Sequence, residues 1–332
     1  MGYVAGETIL DDEYVNFLNG TDPAGINHIM GTGTGNQGLG QTAIGAVVAG
    51  DTITAAQWNA LFTAMTNIAN HVNRSITSNV ARAAGQDVAV VSAIVTDLAN
   101  IASDVAGGSV NATDGLTAGS EDLSLVANKV YDKAHVTEAS FTFAGGDETR
   151  FFFNAGGKLR MLFTNTATGS TGRDTALSSV ITALGNFDMG ATVSTRSGSG
   201  ETVVTNGLAK GYFDLTTSYQ TLIKLADAAG IYTSNTVFAQ IEAKCGAGAH
   251  ADGRGNTGNV ITIKCTASVD DGSSYTDYHA QNLDSRPAED ESVGPTDWSF
   301  RTVDPNTSDG LNPIYATISV AEVSNTTTDN DD

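Results

Sequence analysis

The sequence predicts an α+β protein: an N-terminal helical region, then an antiparallel β-sandwich-like domain with one short helix. Three observations predict it. Between residues 140 and 266, Phe, Val, Ile, Leu, Tyr and Thr gather in short runs such as SFTF, VFAQIEAKC and NVITIKC. Gly-, Asn-, Asp- and Ser-rich gaps separate these runs, which is the pattern of antiparallel strands and turns. Upstream, from about residue 54 to 105, apolar residues recur three and four apart, the period of a helix. Finally, Gly accounts for 37 of 332 residues and only 16% are charged, as expected for a turn-rich chain with room for about two domains.

Residues 1–50 hold few regular elements and read as a glycine-rich attachment region. ILDDEYVNFLNG within it can form a short helix with Tyr14, Phe17 and Leu18 on one side and Gly20 as its stop. In GTGTGNQGLGQT, Gly33, Gly35 and Gly38 match the dinucleotide fingerprint. No parallel-type strand precedes them and no helix opens from them, so the stretch reads as a backbone-packing loop.

The best-marked helix follows. Thr54 and Gln57 form a T-x-x-Q capping box, with Ile53 and Trp58 in the staple positions around it. Behind the cap, Trp58, Leu61, Phe62, Met65, Ile68, Ala69 and Val72 make one apolar face, with His71 beside it. After Gly85 a second seam runs through Val88, Val91, Val95, Leu98, Ala102 and Val105 with coiled-coil-like spacing. The two stripes present more apolar surface than a small helical pair covers, so residues 51–136 are expected to carry self-association, a trimer being favoured over a hairpin within one chain. Residues 107–119 read as a linker. EDLSLVANKVYDKAHV reads as a last helix, with Leu123, Val126 and Val130 on one face.

In the β block (residues 137–323), RFFFNAGGKLRMLF reads as a hairpin turning at Gly156 and Gly157, with Phe153 facing Arg160 and Phe152 facing Met161. Asp174 can cap a short helix with Leu177, Val180, Ile181 and Leu184 inward and Gly185 as its end. Strands resume at GYFDL, SYQTLIKL, VFAQIEAKC and NVITIKCTASV. Cys245 and Cys265 fall on neighbouring strands but offset along the ladder, and read as buried thiols. Residues 280–313 are polar and interrupted by Pro287, Pro295, Pro305 and Pro313. Residues 315–323 alternate as a terminal strand, and 324–332 read as a disordered acidic tail.

The chemistry is sparse. With 37 acidic and 16 basic residues the net charge is −21. Nucleic-acid binding needs clustered cations and is disfavoured, as is an anionic membrane surface. No run is long enough to insert in a bilayer, and MGYVAGETILDDEY lacks the basic start and apolar core of a secretion signal. Five histidines, at 28, 71, 135, 250 and 279, show no metal-binding spacing. DPNTSDG, from Asp304, has a calcium-loop flavour, but its glycine is one place late and the closing Glu is missing. Asp270, Asp271 and Asp277 around Tyr275 read as a solvated hairpin tip. The expectation is therefore no catalytic, cofactor or metal residues, and no enzyme.

AGETILDDEYVNFLNG with GLGQTAIGAVVAGDTITAAQWNALFTAMTNIANHVN resembles the N-terminal region of virion structural proteins of marine tailed phages, the cyanophage-type myoviruses. FFFNAGGKLRMLF, GYFDLTTSYQTLIKL and the run through VDDGSSYTD resemble a β module of the same proteins. The resemblance implies a virion component assembled in the host cytoplasm, a fibre, neck or tail appendage, whose partners are copies of itself and other virion proteins. It transfers architecture rather than chemistry. Two alternatives are a capsid decoration protein and a module binding host-surface glycans through exposed aromatics such as Tyr212, Tyr219, Tyr275 or Tyr278; a third class, a glycan-degrading enzyme, would need a cleft of paired acids.

Overall fold

The computed structural model describes residues 11–329 except 22, 32, 34–36, 49, 79, 86–90, 109–116, 119–121, 128–129, 166–171, 229–236, 247–256, 271–292, 306–308 and 312–316. It is an α+β structure with helices first and two antiparallel sheets after them.

The helices are α1 (Asp11–Asn19), α2 (Ile26–Met30), α3 (Ala55–His71) and α4 (Val91–Ala106). Helix α3 starts where the capping box places it: Thr54 Oγ1 accepts from the Gln57 N–H, and Gln57 Oε1 accepts from the Thr54 N–H. Its stripe packs edge-on and tilted against aromatics of α1, with Tyr14 and Trp58 ring centroids 5.1 Å apart and Phe17 and Trp58 6.1 Å apart. The Tyr14 hydroxyl donates to the Gln57 carbonyl at 3.0 Å.

On α4 the buried face is rotated from the expected seam. Ile94 and Ile101 are inside with Val91, Leu98 and Val105, whereas Val95 is 36% exposed. The reason is Asp97, which lies on the buried side because its Oδ2 accepts the N–H groups of Thr77 and Ser78, each at 2.9 Å. Val88 lies outside the described residues. All four helices share one core with Leu39, Ala155 and Leu311. Trp58, Leu61, Phe62, Met65, Ile68, Val72, Val91 and Leu98 are thus covered within a single chain, and residues 11–31 belong to this core rather than to a separate attachment region.

The β part is built from β1 (Thr117–Ala118), β2 (Leu123–Val126), β3 (Ala134–Thr142), β4 (Lys158–Asn165), β5 (Asn186–Met189), β6 (Ser194–Arg196), β7 (Thr202–Asn206), β8 (Gln220–Ala226), β9 (Phe238–Cys245), β10 (Val260–Ser268), β11 (Thr296–Asp304) and β12 (Ser319–Thr328). One sheet runs β1-β11-β4-β5-β6, with β2 also paired to β11; the other runs β12-β3-β10-β9-β8-β7. The inner faces share one core, in which Phe141 of β3 meets Phe300 of β11 across the gap at 6.5 Å. Helix α6 (Gly172–Leu184) packs on β4 of one sheet and on β8 and β9 of the other, with Leu177, Val180 and Leu184 fully buried between them.

Several expectations change here. In place of a helix, Leu123–Val126 form β2 and the chain enters β3 at Ala134, and Leu125 is the buried residue while Val126 and Val130 are exposed. RFFFN is not a strand: α5 (Gly146–Asn154) occupies it, with Asp147 and Glu148 in the first turn favouring the positive end of the helix dipole. Gly156, at φ 89°, ends this helix instead of turning a hairpin. Arg160 therefore faces Asp188 on β5, which it grips through Nε and Nη2 at 2.6 and 2.8 Å. GYFDL is a 3₁₀ turn at Tyr212–Asp214. Asp174 lies inside the first turn of α6 rather than ahead of it. The proline-interrupted region contains β11, the strand that bridges β2 and β4. The terminal strand runs on through Asn325 and Thr328 into what the composition marked as tail.

Cys245 faces Ile261 and Cys265 faces Ile241; both are free and buried, with burial pushing the Cys265 thiol up.

Thr54→Ala is expected to cost about 1 kcal/mol through the lost cap, and Trp58→Ala about 3–5 kcal/mol through the cavity left in the helical core. Urea unfolding curves with unchanged slope measure both, and equal, negligible costs would contradict the packing described.

Candidate functional site

Three arrangements stand out among the described residues: a clasp between helices and sheets, a buried polar line between the sheets, and a cation–aromatic face on the second sheet.

The clasp has two halves. At the C-terminal end of α3, His71 Nδ1 lies 2.7 Å from Asp309 Oδ2, both side chains being almost wholly buried. The other oxygen of Asp309 accepts the Leu311 N–H at 3.0 Å, and Asn67 Nδ2 donates to the Gly310 carbonyl at 3.2 Å. Residues 309–311 are thereby fixed against the helical core that Leu311 enters. In the other half, Arg150 Nη1 donates to the carbonyls of Gly33 and Gln37 at 2.6 and 2.8 Å, and Asn154 Nδ2 to that of Gly38 at 3.1 Å.

Gly33 and Gly38 of the fingerprint-like stretch therefore turn carbonyl oxygens toward these donors, the polarity opposite to a phosphate cradle, while Gly35 lies outside the described residues. A Cβ on Gly38 would lie 3.0 Å from Arg150 Nη1, and its φ of 91° suits glycine alone. The same contacts account for part of DPNTSDG, which the sequence reads as a turn-rich acidic loop rather than a calcium loop. Asp309 is committed to His71 and Leu311, and Asp304 belongs to β11; residues 306–308 lie outside the described part. No group of three or more His, Cys, Asp or Glu converges as a metal site among the described residues.

The buried polar line runs through His135 on β3. Asn325 Nδ2 donates to the Val126 carbonyl at 2.9 Å, so its Oδ1, 2.9 Å from His135 Nε2, must accept. Nε2 therefore carries the proton, and Nδ1 accepts from the Thr296 hydroxyl at 2.8 Å. Thr296 Oγ1 in turn accepts from the Tyr131 hydroxyl at 3.1 Å. The line ties β12, β3, β11 and the β2 end together, buried at Tyr131, His135 and Thr296 and half-exposed at Asn325. Burial lowers the pKa of His135, outweighing the raising effects of Asn325 and Asp297.

On the outward face of the second sheet, Lys244 and Lys264 place their ammonium groups 4.3 and 4.7 Å from the Tyr219 ring centroid. Lys264 also pairs with Glu242 at 2.7 Å, and Lys224 lies 3.7 Å over Phe238. This face bears on the glycan reading. Tyr219 is half-buried with its ring engaged by cations, Tyr212 is fully buried, stacked at 4.7 Å on Phe153, and Tyr275 and Tyr278 lie outside the described residues, as do Asp271 and Asp277.

A shallow groove of about 460 Å³ follows α3 beside Met30, Thr42 and Leu311. A second, polar hollow of about 480 Å³ is lined by hydroxyls of α6 with Asp174 and Glu201. In the groove, Asn59 and Asn67 are already bonded to backbone, Asn59 to Arg82 and Asn67 to Gly310. In the hollow, Glu201 Oε2 accepts the Ala228 N–H at 2.6 Å. No described helix is long and apolar enough to cross a membrane.

No family model, curated protein or solved structure matches the chain.

Neither His71–Asp309 nor the His135 line was visible in the sequence, because the partners lie 238 and 190 positions apart and share no motif. β11 did leave a signal, the alternation of Trp298 and Phe300, which the surrounding prolines masked.

The His135 line makes a prediction. The unfolded ring protonates near 6.5 and the folded ring resists it. The neutral ring's contribution is therefore full above pH ~6.5 and is lost as the pH falls through the lowered folded value. Melting temperatures taken from pH 8 to 5 should fall on the acid side, and His135→Asn, which has no ring to protonate, should fall less, so that the difference between mutant and wild type narrows as the pH drops. A constant difference would refute the neutral assignment.

Proposed function

We propose that this chain is a non-enzymatic structural subunit of a tailed-phage virion, a fibre, neck or tail appendage, that acts by making and holding contacts. The observation that carries the reading is where its polar chemistry goes. His71, Asp309, Arg150, Asn154, His135, Thr296 and Asn325 all join segments distant in the chain, while the second sheet leaves strands at both ends uncovered. Such a body is rigid inside and open to partners at its rim. The sequence resemblance to virion proteins points the same way.

Its partners are copies of itself and other virion proteins. Because the α3 and α4 stripes are enclosed in one chain, self-association uses another surface.

Labelled antibody against the purified chain should decorate intact particles at a fixed position, and the chain should release no reducing sugar from host envelope. Absence of label from purified particles, or release of sugar abolished by substituting paired acids, would overturn the reading.

A further inference from the structure

We propose that copies of this chain join head to tail through the second sheet, with β12 of one copy adding antiparallel to β7 of the next. This deepens the structural-subunit reading by naming the contact, and rests on it for its setting alone.

The first observation is exposure. β7 has five residues, Thr-Val-Val-Thr-Asn, all exposed, with Val203 and Val204 at 42% and 39%. It is hydrogen-bonded on one side only, to β8. At the other end of the sheet β12 is bonded on one side to β3. Its second half is flanked by β2 through the Asn325–Val126 bond, but residues 319–323 are largely exposed, Val323 at 53%. Among the described residues, no strand lies beside the outer edge of β7 or of residues 319–323, and an edge of this kind is the template on which another strand adds.

The second observation is polarity. Every neighbouring pair in this sheet is antiparallel, and the strands number six. The two edge strands therefore run in opposite directions. A second copy placed alongside by rotation and translation brings its β12 antiparallel to β7, and the alternation continues unbroken from copy to copy. The adjoining strands sit about 4.8 Å apart, as within a sheet.

Charge selects this contact over like-with-like pairing. The chain carries −21 overall, so copies repel unless the contact is locally complementary. The β7 strand is itself uncharged. Lys224 lies opposite Thr205 on β8, Arg196 sits beside the loop leading into β7, and Glu201 has turned its Oε2 to the Ala228 N–H. β12 carries Glu322 and leads to Asp329, Asp331 and Asp332. Pairing two β12 edges brings the Glu322 carboxylates together, whereas β7 carries no carboxylate of its own to oppose them. A contact between unlike patches closes into a ring or continues as a filament according to the rotation per copy.

The test uses the full chain with single substitutions, Val204→Cys and Val323→Cys, and a short bis-maleimide; the native thiols Cys245 and Cys265 are buried and out of reach in the folded protein. Each variant alone should give little covalent dimer, the mixture should give a dimer of one of each, and the double variant should give a ladder of multimers. In the otherwise native chain, Val204→Glu, which places a carboxylate on the β7 edge, should abolish the concentration-dependent growth in sedimentation while leaving the melting temperature unchanged. Self-linking of either single variant as efficient as the mixture, or no covalent product at any concentration, overturns the head-to-tail contact. Particle labelling is read separately: labelled particles without mixed product sink only this contact, and mixed product without labelled particles sinks only the virion assignment.

Discussion

The two sheets stand as one body because β11 sits inside the first of them. Its Trp298 ring stacks on Phe163 of the neighbouring strand at 4.2 Å, and its Phe300 reaches across to Phe141 of the opposite sheet. Aromatic pairs of this kind add about 0.5–1.5 kcal/mol each beyond the area they bury. Their larger effect is positional. β11 bridges β2 to β4, so without it β2 has no partner and β4 becomes an edge. The inner face would then expose Met161 and Phe163, both now buried. α6 fills the other side of the gap, where β4 faces β8 and β9, so the sheets are held apart by a helix at one margin and touch through aromatics at the other.

How much of this was legible depends on whether the signal was local. The first helix was, because a capping box and a staple are completed within a few residues, and the long central strands were, because alternation is a property of each strand alone. Failures arose where a local pattern admitted two answers. FFF in Arg150–Asn154 suits a strand or a helix, and the choice falls to helix through the acids ahead of it and because Phe152 and Phe153 both reach the sheet core while Arg150 and Asn154 reach the glycine loop. On α4, Val95 fitted a regular seam, but Asp97 needs the backbone donors of residues 77 and 78, and that need turns the helix. Nothing within α4 announces those donors. The candidate site was less legible still, since its pairs are joined only by the finished fold.

The buried polar groups also explain why helices and sheets form a single structure. The helical core already covers its own apolar stripes, so little hydrophobic surface remains to draw it onto the β part. The connection comes instead from carbonyls of the glycine loop held by Arg150 and Asn154, and from the His71–Asp309 pair with Leu311 behind it. Hydrogen bonds at such a joint contribute modestly when made, but removing one partner strands a buried polar or charged group, which costs far more. A joint of this kind resists gradual loosening: it is either formed in full or opened in full. That all-or-none character suits a rigid spacer better than a hinge.

The distribution of edges follows from the same architecture. A sheet shares its strands' hydrogen bonds laterally, and only closure or a covering element removes the last open strand. In the first sheet the edge strands β1 and β6 are short, which blunts them. In the second, among the described residues, β2 flanks the second half of β12, and the remaining protection consists of a bulge in β7, a bulge in β12 and one glutamate. A chain with so strong a net charge can tolerate such edges, because repulsion between copies keeps indiscriminate pairing slow. The same repulsion favours a pairing that brings no like charges together. Openness at the rim and acidity overall are thus two parts of one device, the first supplying a place to bind and the second restricting what binds there.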